Sequence, residues 1–247
     1  MDPATYAVLL FGALAGGFVS GLAGFGTALM ALGIWLYVLS PALAVPLVLI
    51  CSVSSQLSTL PSMWRLMDFR LALPFVLGGL AGMPIGALLV ARADPQVFRL
   101  CVGTMLVVFP TALYFVRTPL AFRFGGRAAD AAVGFAGGIL GGLAGLSGPL
   151  PTLWASIRGW TKDQRRGVFQ IFNGTVLGAA LALQIVSGFV AREVFWLALL
   201  ALTGTLVGAR LGMWTYRTLN DRNFYDIVLG LLFLSGLGLL WSSIAPR

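Results

Sequence analysis

The sequence predicts an all-α polytopic membrane protein made of two inverted repeats. Hydrophobic residues make up 59% of its 247 positions and charged residues only 10%, which excludes a soluble domain. A short motif also occurs twice, since Gly21-Leu22-Ala23-Gly24 returns 121 positions later as Gly142-Leu143-Ala144-Gly145. Each copy interrupts a long apolar run with glycines and hydroxyl residues, and backbone freed in this way must be buried in protein or line a polar cavity.

The first repeat, residues 1–119, opens with a broken hairpin over 6–39. As one straight helix this run would be about 50 Å long, against a hydrocarbon core of roughly 30 Å. A break costs least at Gly24-Phe25-Gly26-Thr27, where glycine tolerates a turn and Thr27 is a candidate helix cap. Three predicted spans follow, at 42–64, 71–91 and 97–116, and a linker at 120–128 joins the two halves.

The second repeat, residues 129–247, is predicted to have the same order. Its hairpin covers 131–160 and breaks between Gly145 and Pro149, with Ser147 as a candidate cap for the returning helix. Three further spans are predicted at 168–190, 194–216 and 224–241. A weaker match between the repeats places Gly82 and Gly86 opposite Gly204 and Gly208, 122 positions apart.

The distribution of Lys and Arg favours the hairpins over an alternative with eight plain transmembrane spans. Eight spans would divide the 16 basic residues into nine and seven, which is no bias. Two hairpins that enter and return leave six full spans and divide the same residues into 12 and four, as the positive-inside rule expects. This topology places the N-terminus outside and, because each half then has three spans, inverts one half relative to the other.

Paired broken segments in two halves are typical of the substrate site of a transporter. A helix N-terminus offers free backbone N–H groups and partial positive charge, which suits a small anion. The predicted anion site therefore combines both breaks with polar residues of the span after each hairpin. Its members are Gly24, Gly26, Thr27, Ser52, Ser55, Gln56, Gly145, Ser147, Gly148, Gln170 and Asn173. The alternative is that the glycines serve helix packing and the polar side chains join helices.

Charged residues add little to this site. The chain has no histidine, and all eight acidic residues lie at or near predicted boundaries, so no carboxylate relay, cofactor or metal site is predicted. Lys162, Arg165 and Arg166 form the densest basic cluster, at the start of the span that carries Asn173. The cluster is interpreted as a topology signal, with steering of anions as the alternative. Scattered boundary arginines of this kind do not indicate nucleic-acid binding.

The paired glycine motifs resemble the sulfite exporter TauE/SafE family, also called the toluene sulfonate uptake permeases. The resemblance is carried by the stretch from Gly17 to Gly26, the block from Gly134 to Gly148 and the segment Asp68-Phe69-Arg70-Leu71-Ala72-Leu73-Pro74. It implies a transporter in the bacterial cytoplasmic membrane for a small anion such as sulfite, thiosulfate or sulfoacetate. The coupling ion, Na⁺ or H⁺, and the oligomeric state stay open.

Two rival functions remain at this point. Gly145-Leu146-Ser147-Gly148 is similar to the G-x-S-G segment that holds the nucleophile of an intramembrane serine hydrolase, but the chain has no histidine, and Lys162 is the only lysine that could act as the base. The other rival is a membrane subunit for assembly or sensing that transports nothing. The sequence therefore favours a transporter over an enzyme.

Overall fold

A computed structural model describes residues 2–90, 92–115, 125–218 and 221–244, without the side chains at 162, 217–218, 221–228, 231, 242 and 244. Residues 120–124 of the predicted linker fall outside these ranges. Within them the chain forms ten α-helices and one short 3₁₀ helix, Trp64–Leu66. The α-helices are α1 (Pro3–Ala23), α2 (Thr27–Trp35), α3 (Pro41–Met63), α4 (Phe69–Val90), α5 (Pro95–Phe115), α6 (Gly126–Ala144), α7 (Pro149–Ile157), α8 (Lys162–Val186), α9 (Arg192–Thr218) and α10 (Asp221–Ile244).

The start of α8 departs most from the boundaries that hydropathy predicts, since the helix begins at Lys162 and not at Val168. A capping box explains the difference. Thr161 Oγ1 accepts from the Gln164 backbone N–H at 3.3 Å, and Gln164 Oε1 accepts from the Thr161 N–H at 3.1 Å. Hydropathy overlooks this first polar turn because the cap, and not apolar burial, starts the helix.

Six helices of the described chain are long and apolar enough to cross a membrane, namely α1, α3, α4, α5, α8 and α9. Helices α2 and α7 have nine residues each, about 13 Å at 1.5 Å per residue, which is less than half of the hydrocarbon core. Neither is long enough to cross the membrane alone.

Each short helix folds back along the helix before it. In the first pair, the Trp35 indole Nε1 at the end of α2 donates to the Leu9 carbonyl near the start of α1, at 3.0 Å. In the second pair, Trp154 Nε1 of α7 donates to Asp130 Oδ1 near the start of α6, at 2.8 Å. The end of each short helix therefore lies beside the start of its long partner, as in a hairpin.

Glycines let two long helix pairs from different halves pack with their backbones nearly touching. A Cβ added to Gly21 of α1 would lie 2.1 Å from the carbonyl oxygen of Ala209 in α9. One added to Gly138 of α6 would lie 2.1 Å from the carbonyl oxygen of Gly79 in α4. Close backbone approach through small residues is a common way to join membrane helices. Part of each glycine motif thus serves packing.

These contacts correct one detail of the internal repeat. Gly82 packs against the Phe135 carbonyl, and Gly208 packs against the Leu14 carbonyl. Because Phe135 and Leu14 are 121 positions apart, as the glycine motifs are, Gly82 corresponds to Gly208. The predicted match of Gly82 with Gly204 is therefore wrong, and the spacing between equivalent residues has grown from 121 to 126 by α9.

Candidate functional site

The two breaks have the same local geometry. Gly24 and Gly145 end α1 and α6 in the left-handed region, with φ of +83° and +69°. In each, the glycine N–H donates at 2.8 Å to the carbonyl four residues earlier, on Ser20 or Gly141. A residue with a Cβ is strained at such φ values, so glycine at these two positions is what lets the chain turn back.

The tips of the two hairpins touch at the centre of the molecule. A Cβ on Gly148 would lie 2.6 Å from the Phe25 side chain, and one on Gly145 would lie 3.4 Å from the Ala28 Cβ. The Phe25 ring meets the ring of Phe169 edge-on, with centroids 6.2 Å apart. The tip of the first hairpin thus contacts both the second hairpin and α8.

A cavity between the tips, called the chamber below, has room for about one water molecule. Both hairpin tips, α3 and α8 contribute to its wall. The lining residues are Ser20, Phe25, Gly26, Thr27, Ala28, Leu29, Ser52, Gln56, Gly145, Leu146, Ser147, Gly148, Pro149, Asn173 and Leu177. No acidic residue is among them, and the whole wall is neutral.

The N-terminus of α2 faces this chamber. The first hydrogen bond of the α2 ladder runs from the Met30 N–H to the Gly26 carbonyl, at 3.1 Å. The N–H groups of Thr27, Ala28 and Leu29 therefore have no acceptor within the helix, and all three residues line the chamber. They give the chamber wall three hydrogen-bond donors and the positive end of a helix dipole.

Ser52 lies at the same chamber and lacks a partner. Its side chain is 3% exposed, and its Oγ makes no hydrogen bond within the described protein. A buried hydroxyl left unpaired costs about 1–3 kcal/mol. This polar group is therefore available to a molecule held between the hairpin tips.

The second hairpin offers fewer backbone donors than the sequence predicts. Pro149 and Pro151 have no N–H, and the α7 ladder begins with the Thr152 N–H donating to the Gly148 carbonyl at 3.0 Å. In the first turn of α7 only Leu150 keeps a free N–H. The two helix N-termini are therefore unequal, and the donor-rich one belongs to the first hairpin.

The side chains beside the second hairpin are already paired with each other. Ser147 Oγ donates to Asn173 Oδ1 at 2.7 Å, and Asn173 Nδ2 donates to the Gly24 carbonyl at 3.2 Å. The prediction that Ser147 caps α7 is wrong, because the N-cap is Gly148. Thr27 is likewise the first residue of α2 after the N-cap Gly26, and not the cap itself.

Eight of the eleven predicted site residues line the chamber, and three lie just behind it. The eight are Gly26, Thr27, Ser52, Gln56, Gly145, Ser147, Gly148 and Asn173. Of the other three, Gly24 presents its carbonyl to Gln56 Nε2 at 2.9 Å, and Ser55 Oγ donates to Ser20 Oγ at 2.9 Å. Gln170 Nε2 donates to the Gln56 carbonyl at 2.7 Å. The structure thus brings the predicted residues together from three helices, α2, α3 and α8, and the two turns.

The predicted site leaves out Ser20 and Arg166. Ser20 lines the chamber from the last full turn of α1, and its position inside the repeated motif was the available signal. Arg166 is buried, with its guanidinium 3.7 Å from a Cβ added at Gly24. Its spacing of four and seven residues from Gln170 and Asn173 places all three on one face of α8, and that spacing was the signal.

Comparison with known proteins supports the resemblance. The family model "Sulfite exporter TauE/SafE" matches residues 8–239, which is nearly the whole chain and includes both hairpins. No curated protein and no solved structure matches the chain. Because the family model covers far more than half of the sequence, this chain belongs to the sulfite exporter TauE/SafE family of membrane transporters.

Proposed function

We propose that this protein carries a small sulfur oxyanion or organosulfonate, of the sulfite, thiosulfate or sulfoacetate type, across a bacterial cytoplasmic membrane. The observation that carries the proposal is the open donor set in the chamber. Thr27, Ala28 and Leu29, whose N–H groups have no acceptor within the helix, line the chamber together with the unpartnered Ser52, and no carboxylate is in its wall. Such a wall suits an anion and repels no negative charge.

The directions of the helices support an inverted repeat. Helices α3 and α8 occupy equivalent places in the two halves, and they pack antiparallel, since Met63 meets Arg166 while Gln56 meets Gln170. The other equivalent pair in contact, α5 and α10, is also antiparallel, because Gln96 Nε2 donates to the Ser243 carbonyl and Gly103 packs on Leu240. Equivalent helices that run in opposite directions are what inversion in the membrane requires.

The small size of the chamber supports transport by alternating access. The space suffices for about one water molecule, so a sulfur oxyanion enters only if the hairpin tips separate. In this structure the tips touch at Gly148 and Phe25. We infer that the structure is a closed form, and that movement of one half against the other opens the chamber to each side in turn.

The proposed orientation places the N-terminus outside. It rests on the hairpin topology, which assigns 12 basic residues to the side that holds the start of α8 and four to the other, so that the start of α8 faces the cytoplasm.

Transport by purified protein in sealed proteoliposomes tests the proposal. Sulfite, thiosulfate and sulfoacetate are the probes, with taurine and simple carboxylates as comparison solutes and a thermal shift of the detergent-solubilised protein as the binding readout. Ser147→Trp fills the chamber and should abolish transport while the protein still inserts. Stabilisation by cations alone, or undiminished transport by Ser147→Trp, would contradict the proposal.

A further inference from the structure

Arg166 is a buried cation close to the chamber. Its side chain is 2% exposed, although the neighbouring Arg165 is only half-buried. The two terminal nitrogens donate to the backbone carbonyls of Gly21 and Leu22 in the last turn of α1. The guanidinium therefore holds the end of α1 next to the turn at Gly24.

The positive charge of Arg166 is not neutralised by a carboxylate within the described chain. Besides the two carbonyls, Nε faces the Met63 sulfur at 3.3 Å, and the Tyr216 ring lies under the guanidinium with its centroid 4.5 Å away. Asp163, three residues before Arg166 on α8, is exposed and accepts from the Tyr216 hydroxyl at 2.9 Å. A charge inside a membrane protein is costly and commonly marks the path of a substrate or ion.

A row of polar groups connects Arg166 with the chamber. Gln170 lies one turn further along α8, and its amide donates to the Gln56 carbonyl at 2.7 Å. Thr59 Oγ1 donates to Gln170 Oε1 at 3.2 Å. Asn173 follows on the same face of α8 and lines the chamber. A polar lane between α3 and α8, made of Thr59, Gln56, Gln170 and Asn173, thus leads from Arg166 to the hairpin tips.

The opposite side of the chamber has no such lane. The repeat spacing of 121 assigns an equivalent on that side to each member of the row. Val45 corresponds to Arg166, Leu49 to Gln170, Leu177 to Gln56 and Ala180 to Thr59, and these four equivalents are buried and apolar. The fifth equivalent, Ser52 for Asn173, lies in the chamber wall itself. Symmetry of the fold alone therefore does not account for the polar residues, which occur only toward the start of α8.

We propose that Arg166 is a second binding site for the transported oxyanion, on the route between the chamber and the membrane face where α8 begins. This inference rests on the proposed function. The guanidinium presents two parallel donors, which match two oxygens of a sulfite or sulfonate group. An oxyanion carries a full negative charge, which attracts the buried guanidinium more strongly than a neutral carbonyl does, so an arriving oxyanion displaces the carbonyls of Gly21 and Leu22. Binding of the anion thereby releases the end of α1 beside the Gly24 turn.

Substitutions of Arg166 test this second site, with Arg165→Gln as the matched control. Arg165 is the adjacent arginine, and its Nη1 donates to Ser156 Oγ at 3.1 Å, away from the lane. The measurements are the concentration dependence of sulfite transport in proteoliposomes, competition by chloride, and the sulfite-induced thermal shift. We expect Arg165→Gln to stay within about twofold of the unmodified protein, since removal of one half-buried charge outside the lane changes steering only.

Arg166→Lys keeps the positive charge but loses the two parallel donors of the guanidinium. The KM of this variant for sulfite should rise about tenfold, and its preference for sulfite over spherical chloride should fall by a similar factor. Arg166→Gln should lower the transport rate about 100-fold, while sulfite still stabilises the purified protein because the chamber is unchanged.

Several outcomes would overturn the second site. One is a KM and chloride competition within twofold of the unmodified protein in both variants. Another is a lower melting temperature but an unchanged KM in Arg166→Lys. That result would mean that Arg166 only stabilises the position of α1. If Arg166→Gln does not insert, Arg166→Lys decides, and failure of both variants to insert also counts against the proposal. If the unmodified protein neither binds nor transports sulfur oxyanions, the proposed function itself fails.

Discussion

Substitution of Ser52 by alanine separates anion binding from folding. Its Oγ has no partner within the described protein and lines the chamber, so the change removes a donor that the fold does not use. The free energy of unfolding should therefore be unchanged or slightly higher, because a buried polar group without a partner is removed. The loss should appear in anion affinity alone.

The magnitude follows from the charge of the bound molecule. A hydrogen bond to a charged group contributes about 1.5–3 kcal/mol, which corresponds to a loss of roughly 10- to 150-fold in the affinity for sulfite. Titration of the sulfite-induced thermal shift measures this affinity, and initial rates in proteoliposomes measure its effect on transport.

Ser55→Ala is the matched control because Ser55 Oγ donates to Ser20 Oγ at 2.9 Å. That substitution should lower the free energy of unfolding by about 0.5–1.5 kcal/mol and change sulfite affinity much less. A dissociation constant for Ser52→Ala within twofold of the unmodified protein would refute the reasoning. So would a loss of stability in Ser52→Ala that equals the loss in Ser55→Ala.

Four further outcomes are expected. Gly145→Ala forces a side chain into left-handed backbone and should lower the free energy of unfolding by about 1–2 kcal/mol, as measured by reversible denaturation; an unchanged value would mean that the turn relaxes. Gly138→Ala places a Cβ 2.1 Å from an opposing carbonyl oxygen, so fluorescence-detected size exclusion should show little folded protein, and a normal peak would contradict the close packing of α4 and α6. Thr161→Ala removes the capping box and should cost about 1 kcal/mol, whereas Thr161→Ser should retain most of it in the same denaturation assay. In a cysteine-free background, Arg99→Cys and Arg158→Cys should react with an impermeant thiol reagent from opposite faces of the membrane, and labelling of both from the same face would rule out the hairpin topology.

The sequence predicted the parts of the site that break a rule of membrane helices. Gly24 and Gly145 stand out because glycine is a poor choice inside an apolar helix, and both end a helix as predicted. Ser52 and Asn173 stand out because they are equivalent polar residues inside apolar spans, and they line the same chamber.

Features that depend on tertiary contacts escaped prediction. The burial of Arg166 was hidden because a basic residue at a span boundary is also what topology requires, and only the packing of α1 against α8 distinguishes the two roles. The unequal hairpins escaped for a different reason. Pro149 was identified as a favourable first residue for a helix, but the count of donors depends on which N–H groups the ladder uses.

The packing of α1 on α9 and of α6 on α4 has a consequence for biogenesis. Each long hairpin helix packs against a glycine-rich face of a helix from the other half. The first hairpin ends at Trp35 and α9 begins at Arg192, so residues 36–191 are synthesised before the final neighbour of α1 appears. Until then its glycines meet lipid or an insertion factor. The two halves therefore complete their folding together. If translation stops before α9, the N-terminal fragment lacks the helix against which α1 packs.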